Sequence, residues 1–262
     1  MALGYKFEKD RHIHTLDGRP LMGVTTVLKN WGDPSALVNW SANTAVDYIE
    51  SQVEIGHFNV ASGIGSIEFK GAFNEILTEA RTAHLKKRDK AGDKGTEIHA
   101  QLEVMMNDLI AGELKEYVPI VNKIKNWLLD NGIKPLKSEM NVYSRSLWYG
   151  GIADGVVEKD GMKYILDFKT SGSIQTKAFY QCGAYSYAVR EMVAFDDNRY
   201  PDGVVIVHIP KGASFDPEKN VYWRYDIGQL ENAFVSILEA YKLDKNIQEL
   251  LERNYKKTSI KI

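Results

Sequence analysis

The stretch from Gly150 to Ser171, GGIADGVVEKDGMKYILDFKTS, constrains this chain more than any other. Its Asp160-Gly161 dipeptide signals a two-residue hairpin turn, because both central positions of that turn need positive φ. The turn pairs Lys159 with Met162, and counting outward residue by residue brings Asp154 opposite Asp167. Directly opposed residues have Cβ atoms roughly 4.5–5.5 Å apart, and like charges at that spacing destabilise a sheet. Such a pair is comfortable only when a cation lies between the acids or one of them is protonated. Period-two alternation puts Asp167 and Lys169 on one face and Leu166 and Phe168 on the other. The hairpin therefore predicts two acids and a lysine on one face, with an apolar reverse face turned to the core. Asp-x-Lys by itself is also compatible with solvated surface charge. The flanking Tyr164, Ile165 and Leu166 favour a central strand, where idle charge is costly.

The 262 residues are 44% apolar and 26% charged, enough for one large domain or a core with one helical elaboration. The opening MALGYKFEKD has no apolar run suited to a signal peptide or membrane span, which predicts a cytoplasmic protein, in the host cytoplasm if phage-encoded. A single cysteine, Cys182, excludes an internal disulfide, four-cysteine zinc and a four-thiolate iron–sulfur cluster. The remaining ligand stock, carboxylate and histidine, suits hard cations such as Mg²⁺ or Mn²⁺, one or two ions. The net charge of −2 gives no overall polycation, so a nucleic-acid enzyme of this composition must concentrate its basic residues locally.

Along the chain, residues 1–30 mix short polar and apolar stretches around Asp17-Gly18, and Val24, Val27 and Leu28 begin the first well-packed stretch. Asp33-Pro34 predicts a helix start, with the helix running to about Tyr48. The Gly56 to Gly65 stretch reads as a loop. A helical pattern from Ser66 to Lys90 is broken by Gly92 and Gly95, and a new helix carries Ile98, Leu102, Met105 and Leu109 on one face. Then follow a helix (Ile120 to Leu129) and three antiparallel strands, Leu136–Tyr143, Gly151–Glu158 and Met162–Thr170. A helix (Gln175 to Val193), a buried strand (Gly203 to Ile209) and a long helix (Ile227 to Arg253) complete the order. Residues 1–92 read as an N-terminal helical region and a candidate arch over a cleft, and 93–262 as the core.

Four blocks in this order carry a family resemblance: GTEIH (Gly95–His99), GGIAD (Gly150–Asp154), LDFKT (Leu166–Thr170) and the Gln181…Tyr185 pair in QCGAY. The chain resembles the RecB-like branch of the PD-(D/E)xK nucleases in them. Its opening GRPLMGVTTVL is also similar to a segment near the start of phage-type and mitochondrial genome-maintenance exonucleases. The first acid follows Ala153 where a proline is usual in this branch. The cluster-binding cysteines of some relatives are absent, so no iron–sulfur cluster is carried over. The resemblance implies an α/β fold: a restriction-endonuclease-like core with a central mixed β-sheet flanked by helices, plus the N-terminal helical elaboration.

It also implies site residues. Asp154 and Asp167 are the principal metal ligands, with His99 and the backbone carbonyl of Phe168 as further ones. Lys169 orients or helps deprotonate the attacking water and steadies negative charge on the phosphate. Gln181 lies near the scissile phosphate or nucleotide, with Tyr185 in support. Glu139 is a candidate extra carboxylate or a solvated strand end. Lys86, Lys87, Arg88, Lys90 and Lys94 precede the histidine helix and are candidates for phosphate contact. Trp148 is a candidate base-stacking residue or a core one. The expected activity is a metal-dependent DNA exonuclease, a phosphodiester hydrolase working at DNA ends, single-stranded ends included, in recombination, repair or phage DNA processing. An endonuclease on the same core and a catalytically inactive nucleic-acid-binding module are the alternatives. The candidate partners are DNA and a recombinase, single-strand-binding protein or helicase, with no membrane.

Overall fold

The computed structural model describes residues 4–29, 31–32, 35–54, 67–192, 201–210 and 214–259. The expected helix start at Asp33-Pro34 and the Gly56–Gly65 loop lie outside them. The chain is a mixed α/β protein that divides into two compact units, residues 1–31 with 98–262, and residues 32–97.

The larger unit is built on a mixed sheet. Strands β5 (Lys134–Ser144), β6 (Tyr149–Lys159) and β7 (Met162–Lys169) run antiparallel in succession. Asp160 (φ 53°) and Gly161 (φ 76°) both adopt the left-handed conformation the turn demands, and Lys159 pairs with Met162. The ladder continues to Gly155 opposite Leu166, the register expected from the turn. Helix α5 (Thr176–Met192) then carries the chain to β8 (Gly203–His208), which pairs parallel with β7. Two elements were not foreseen here: the short helix α6 (Pro217–Asn220) and β9 (Val221–Arg224), antiparallel to β8. β9 has four half-buried residues and no clean alternation, so periodicity could not reveal it.

Both faces of this sheet are covered. Val204 and Ile206 of β8 pack towards α5 and α7 (Ile227–Ser259), while Val205 and Val207 face Leu102, Met106, Ile124 and Leu128. The latter four come from α3 (Ile67–Ile110) and α4 (Pro119–Asp130). Complete burial explains why GVVIVH reads as a continuous apolar run, as parallel strands covered on both sides do.

The N-terminal 31 residues also differ from expectation. They hold strands, β1 (Tyr5–Glu8), β2 (Ile13–Leu16), β3 (Arg19–Pro20) and β4 (Met22–Gly23), followed by α1 (Val24–Lys29). β4 pairs parallel with β6, and Val24, Val27 and Leu28 enter the core on the α5 side. This pairing and burial join residues 1–31 to the core unit, so a single division near residue 92 does not describe the chain.

The 32–97 unit contains α2 (Ser35–Glu54) and the first part of α3. The expected break at Gly92 and Gly95 is corrected: α3 runs unbroken through both. Each glycine costs a helix about 1 kcal/mol relative to alanine. Lys90, Ala91, Lys94 and Glu97 around them are good helix formers, though Asp93 and Thr96 are not. Thr96 Oγ1 bonds back to the Gly92 carbonyl at 3.0 Å. Among the described residues no helix is long and apolar enough to cross a membrane.

Helices α5 and α7 meet backbone to backbone at Gly183, where a Cβ would lie 2.4 Å from the Leu230 carbonyl oxygen. Forced overpacking of this kind costs typically 1–3 kcal/mol. Gly183→Ala is therefore expected to lower the urea midpoint by an amount equivalent to about 1–3 kcal/mol. Gly172→Ala, where nothing lies within 4 Å of the new atom, is expected to stay within about 0.5 kcal/mol of the parent.

Candidate active site

The site arises from a gap in the ladder of β6. One edge of this strand pairs with β5 from Tyr149 to Glu158. The other edge pairs with β7 from Gly155 to Lys159 and with β4 only at Tyr149 and Gly150. Residues 151–154 thus lack a strand partner on that edge, and Asp154 stands at the end of the gap where β7 departs. Its Oδ2 accepts the Phe168 N–H at 2.7 Å, a backbone donor of the neighbouring strand. Asp154 and Asp167 accordingly flank the point where β6 and β7 separate, one step beyond the last ladder pair.

Asp167 and Lys169 share the face of β7 that α5 covers, while Leu166 and Phe168 pack towards α3 and α4. The apolar reverse face is as the hairpin predicts, and the acid face is itself closed by a helix. Asp167 is 1% exposed. Lys169 Nζ lies 2.5 Å from its Oδ2, and this buried oxygen has no other polar partner and no hydrogen bond of good geometry. The side chain of Lys169 is 24% exposed, so the cation reaches from a buried acid towards solvent. His99, on the stretch of α3 within the larger unit, places Nδ1 3.7 Å from Asp154 Oδ2.

The electrostatics follow from this crowding. Burial, then the charge of Asp167, pushes the Asp154 carboxyl up to about 7. Burial opposes the charge on Lys169, but Asp167 and Asp154 outweigh it and raise the ammonium above its ordinary value. Burial, and then the Lys169 charge, lowers His99, so its imidazole is neutral near pH 7 and free to donate a lone pair.

The donor types present, carboxylate and imidazole, are ones a hard divalent cation accepts. His99 lies 3.7 Å from Asp154, and the buried Asp167 oxygen is held by the Lys169 ammonium. Among the described residues no three His, Cys, Asp or Glu side chains close into a ready-made cage. Mg²⁺ does not require one: it keeps several waters and is held by one or two carboxylates plus substrate phosphates. Glu139 is exposed, has φ 43° and acts on both Asp154 and His99 through its charge.

The other expected residues are placed as follows. Gln181 Nε2 donates to the Tyr185 hydroxyl at 2.7 Å, and Tyr185 is buried, which raises its phenol well above the ordinary value. Cys182 between them is fully buried in the core. Trp148 lies in the turn before β6, six residues from Asp154, with φ 61°. It donates its indole N–H to the Pro20 carbonyl at 3.0 Å, a structural tie away from the acids. Lys86, Lys87 and Arg88 are exposed and pair with Glu79, Asp47 and Asp89 of the 32–97 unit. Lys90 is exposed, and the side chain of Lys94 lies outside the described residues.

A cavity of about 370 Å³ opens beside Lys169 and Gln181. It draws Thr25, Leu28 and Lys29 from α1 together with Ser173, Ile174 and Lys177 around the start of α5. The sequence singles out Leu28 only for packing, and Thr25 and Leu28 only as members of the GRPLMGVTTVL segment; Lys29, Ser173, Ile174 and Lys177 carry no signal of their own. They lie more than a hundred residues apart and share no motif spacing, so only the fold assembles them.

No known protein-family model matches the chain, and no curated protein does. Among solved structures, SSO0001 aligns with 57% of this chain and 87% of its own at 13% identity and a TM-score of 0.27, a likeness that carries no argument.

The raised Asp154 carboxyl makes a testable statement about stability. Its protonated form is the one folding favours. That contribution is complete below 3.8, and it disappears as the pH climbs through about 7. In EDTA at pH 8, Asp154→Asn is expected to unfold at a higher urea concentration than the parent, and the difference should vanish near pH 4. A difference of equal size at both pH values would contradict the assignment.

Proposed function

We propose that the protein is a Mg²⁺- or Mn²⁺-dependent deoxyribonuclease of the PD-(D/E)xK type, RecB-like, hydrolysing phosphodiester bonds at DNA ends. The observation that carries this reading is the buried Asp167 ion-paired with Lys169 beside Asp154 in the ladder gap. Support also comes from the order of elements, a helix, three antiparallel strands, a helix and a fourth strand parallel to the third. A restriction-endonuclease-like core needs that order, and the chain supplies the histidine block on α3, ahead of α4 and the strands, and the Gln…Tyr block on α5.

Asp154 and Asp167 would hold the metal, with the His99 imidazole and the Phe168 carbonyl as further donors. Bound there, it would supply Lewis acidity towards a phosphate and lower the pKa of water. Burial first, and then the neighbouring Asp167, pushes the Asp154 carboxyl towards its protonated form, and a cation bound there would oppose both.

Lys169 carries a proton, held by the two acids beside it. It therefore serves as a cation for the phosphate oxygens, and its 24% exposed side chain can turn from Asp167 towards a substrate that enters from solvent. As negative charge grows on the phosphate, this ammonium stabilises it. Beside the two acids it also stands where it can hold the attacking water in position. Gln181, fixed by Tyr185, presents a carboxamide beside Lys169 at the cavity.

End-labelled linear DNA incubated with Mg²⁺ should be degraded from its ends, and EDTA should stop the reaction. Asp167→Ala and Lys169→Ala should each slow it by roughly 10²–10³-fold or more. Wild-type rates in both variants would overturn the site. Cutting of closed circles would move the reading to an endonuclease.

A further inference from the structure

The cavity beside Lys169 has a chemistry of its own. Three of its lining residues are lysines, Lys29, Lys169 and Lys177, and none is acidic. Among the described residues neither Lys29 nor Lys177 forms an ion pair, so both ammonium groups are available to a ligand. Lys29 comes from the end of α1 and Lys177 from the first turn of α5, which puts positive charge on two separate walls. Between them the cavity is apolar, with Leu28, Ile174 and Ala178 contributing to the lining. Leu28 and Ala178 belong to the buried core, so these walls are fixed by packing.

An apolar slot with cationic walls suits a ligand that is flat and uncharged at one end and anionic at the other. The volume of about 370 Å³ falls at the small end of the roughly 300–1,000 Å³ range of ligand pockets. That is room for a single small unit, not for paired strands. Lysine binds phosphate as a point charge, without the planar fork of arginine, so it tolerates a phosphate in varied orientation.

We infer that this cavity binds one nucleoside monophosphate unit, the base against Leu28, Ile174 and Ala178 and the phosphate on Lys29 and Lys177. This rests on the nuclease reading for its meaning, since a pocket that admits one nucleotide next to Lys169 sets the product of each cut as a mononucleotide. It also makes free mononucleotide a competitor for the site. The cation steering the incoming strand then comes from α1 and α5, not from the ion-paired Lys86, Lys87 and Arg88.

The test is calorimetric titration of the full chain in EDTA, where no cleavage intervenes. The probes are dAMP, deoxyadenosine and inorganic phosphate, each at low and high salt. dAMP should bind at least about tenfold more tightly than either deoxyadenosine or phosphate, and more weakly as salt rises. The Lys29→Ala/Lys177→Ala double variant should lose at least about tenfold in dAMP affinity, about 1.4 kcal/mol. Thr25→Trp, an exposed lining position, should fill the slot and weaken dAMP equally, with an unchanged thermal melt as the check on folding. Absence of dAMP binding, or binding untouched in both variants, overturns the inference. Phosphate binding as tightly as dAMP overturns the nucleotide pocket in favour of an anion site. Cleavage of labelled DNA without dAMP binding would leave the nuclease reading standing and remove this one. Binding without any cleavage supports the pocket and counts against the nuclease.

Discussion

A missing stretch of ladder on one edge of β6 is the constraint on which the candidate site depends. Where β7 parts from β6, the Phe168 N–H turns to the carboxylate of Asp154. A sheet normally satisfies such a donor with a backbone carbonyl, because a buried, unpaired N–H costs of the order of 1–3 kcal/mol. Here a side-chain acid takes that role, and the same acid then stands within reach of His99 and beside Asp167. The opening exists because β4 closes the far part of the edge and β7 the near part, leaving Asp154 between them.

Everything around the gap serves to keep charge in a place where charge is costly. α5 covers the face of β7 that bears Asp167, and the core on the opposite side packs Leu166 and Phe168. Asp167 is left with Lys169 as its polar neighbour, and Asp154 with a carboxyl raised towards neutrality. Natural folds tolerate such tension mainly at functional sites, where a ligand relieves it. A divalent cation would relieve this one, by meeting both acids and freeing Lys169 for a phosphate.

How far the sequence disclosed this depended on the range of each interaction. The Asp160-Gly161 turn sets register locally, so the ladder as far as Gly155 opposite Leu166 follows from two residues and a count. Asp154 and Asp167, counted as the next pair, flank the point where the strands part. The helices and strands of the core have strong periodicity, and their order was legible. Gly92 and Gly95 were read as breaks because local propensity is blind to the favourable residues that carry α3 through them. The N-terminal strands are two to four residues long, too short for a period to show, and β4 has meaning only through its parallel partner 127 residues away. The lysine-rich cavity was beyond reach for the same reason. Its walls come from α1 and α5, which are distant in sequence and brought together only by the fold. Trp148 illustrates the converse: adjacency in sequence to the first-acid strand suggested a role at the site, yet it lies in the turn before β6 with its indole tied to the Pro20 carbonyl.

The central claim, that the two acids flanking the gap hold a divalent cation, is tested most directly by Mn²⁺ binding followed by electron paramagnetic resonance, with no DNA present. The account predicts that the wild-type chain removes Mn²⁺ from the free-ion signal and that Mg²⁺ displaces it. Asp167→Asn should weaken this binding by at least about tenfold, roughly 1.4 kcal/mol. Equal Mn²⁺ uptake by the wild type and the variant would contradict it.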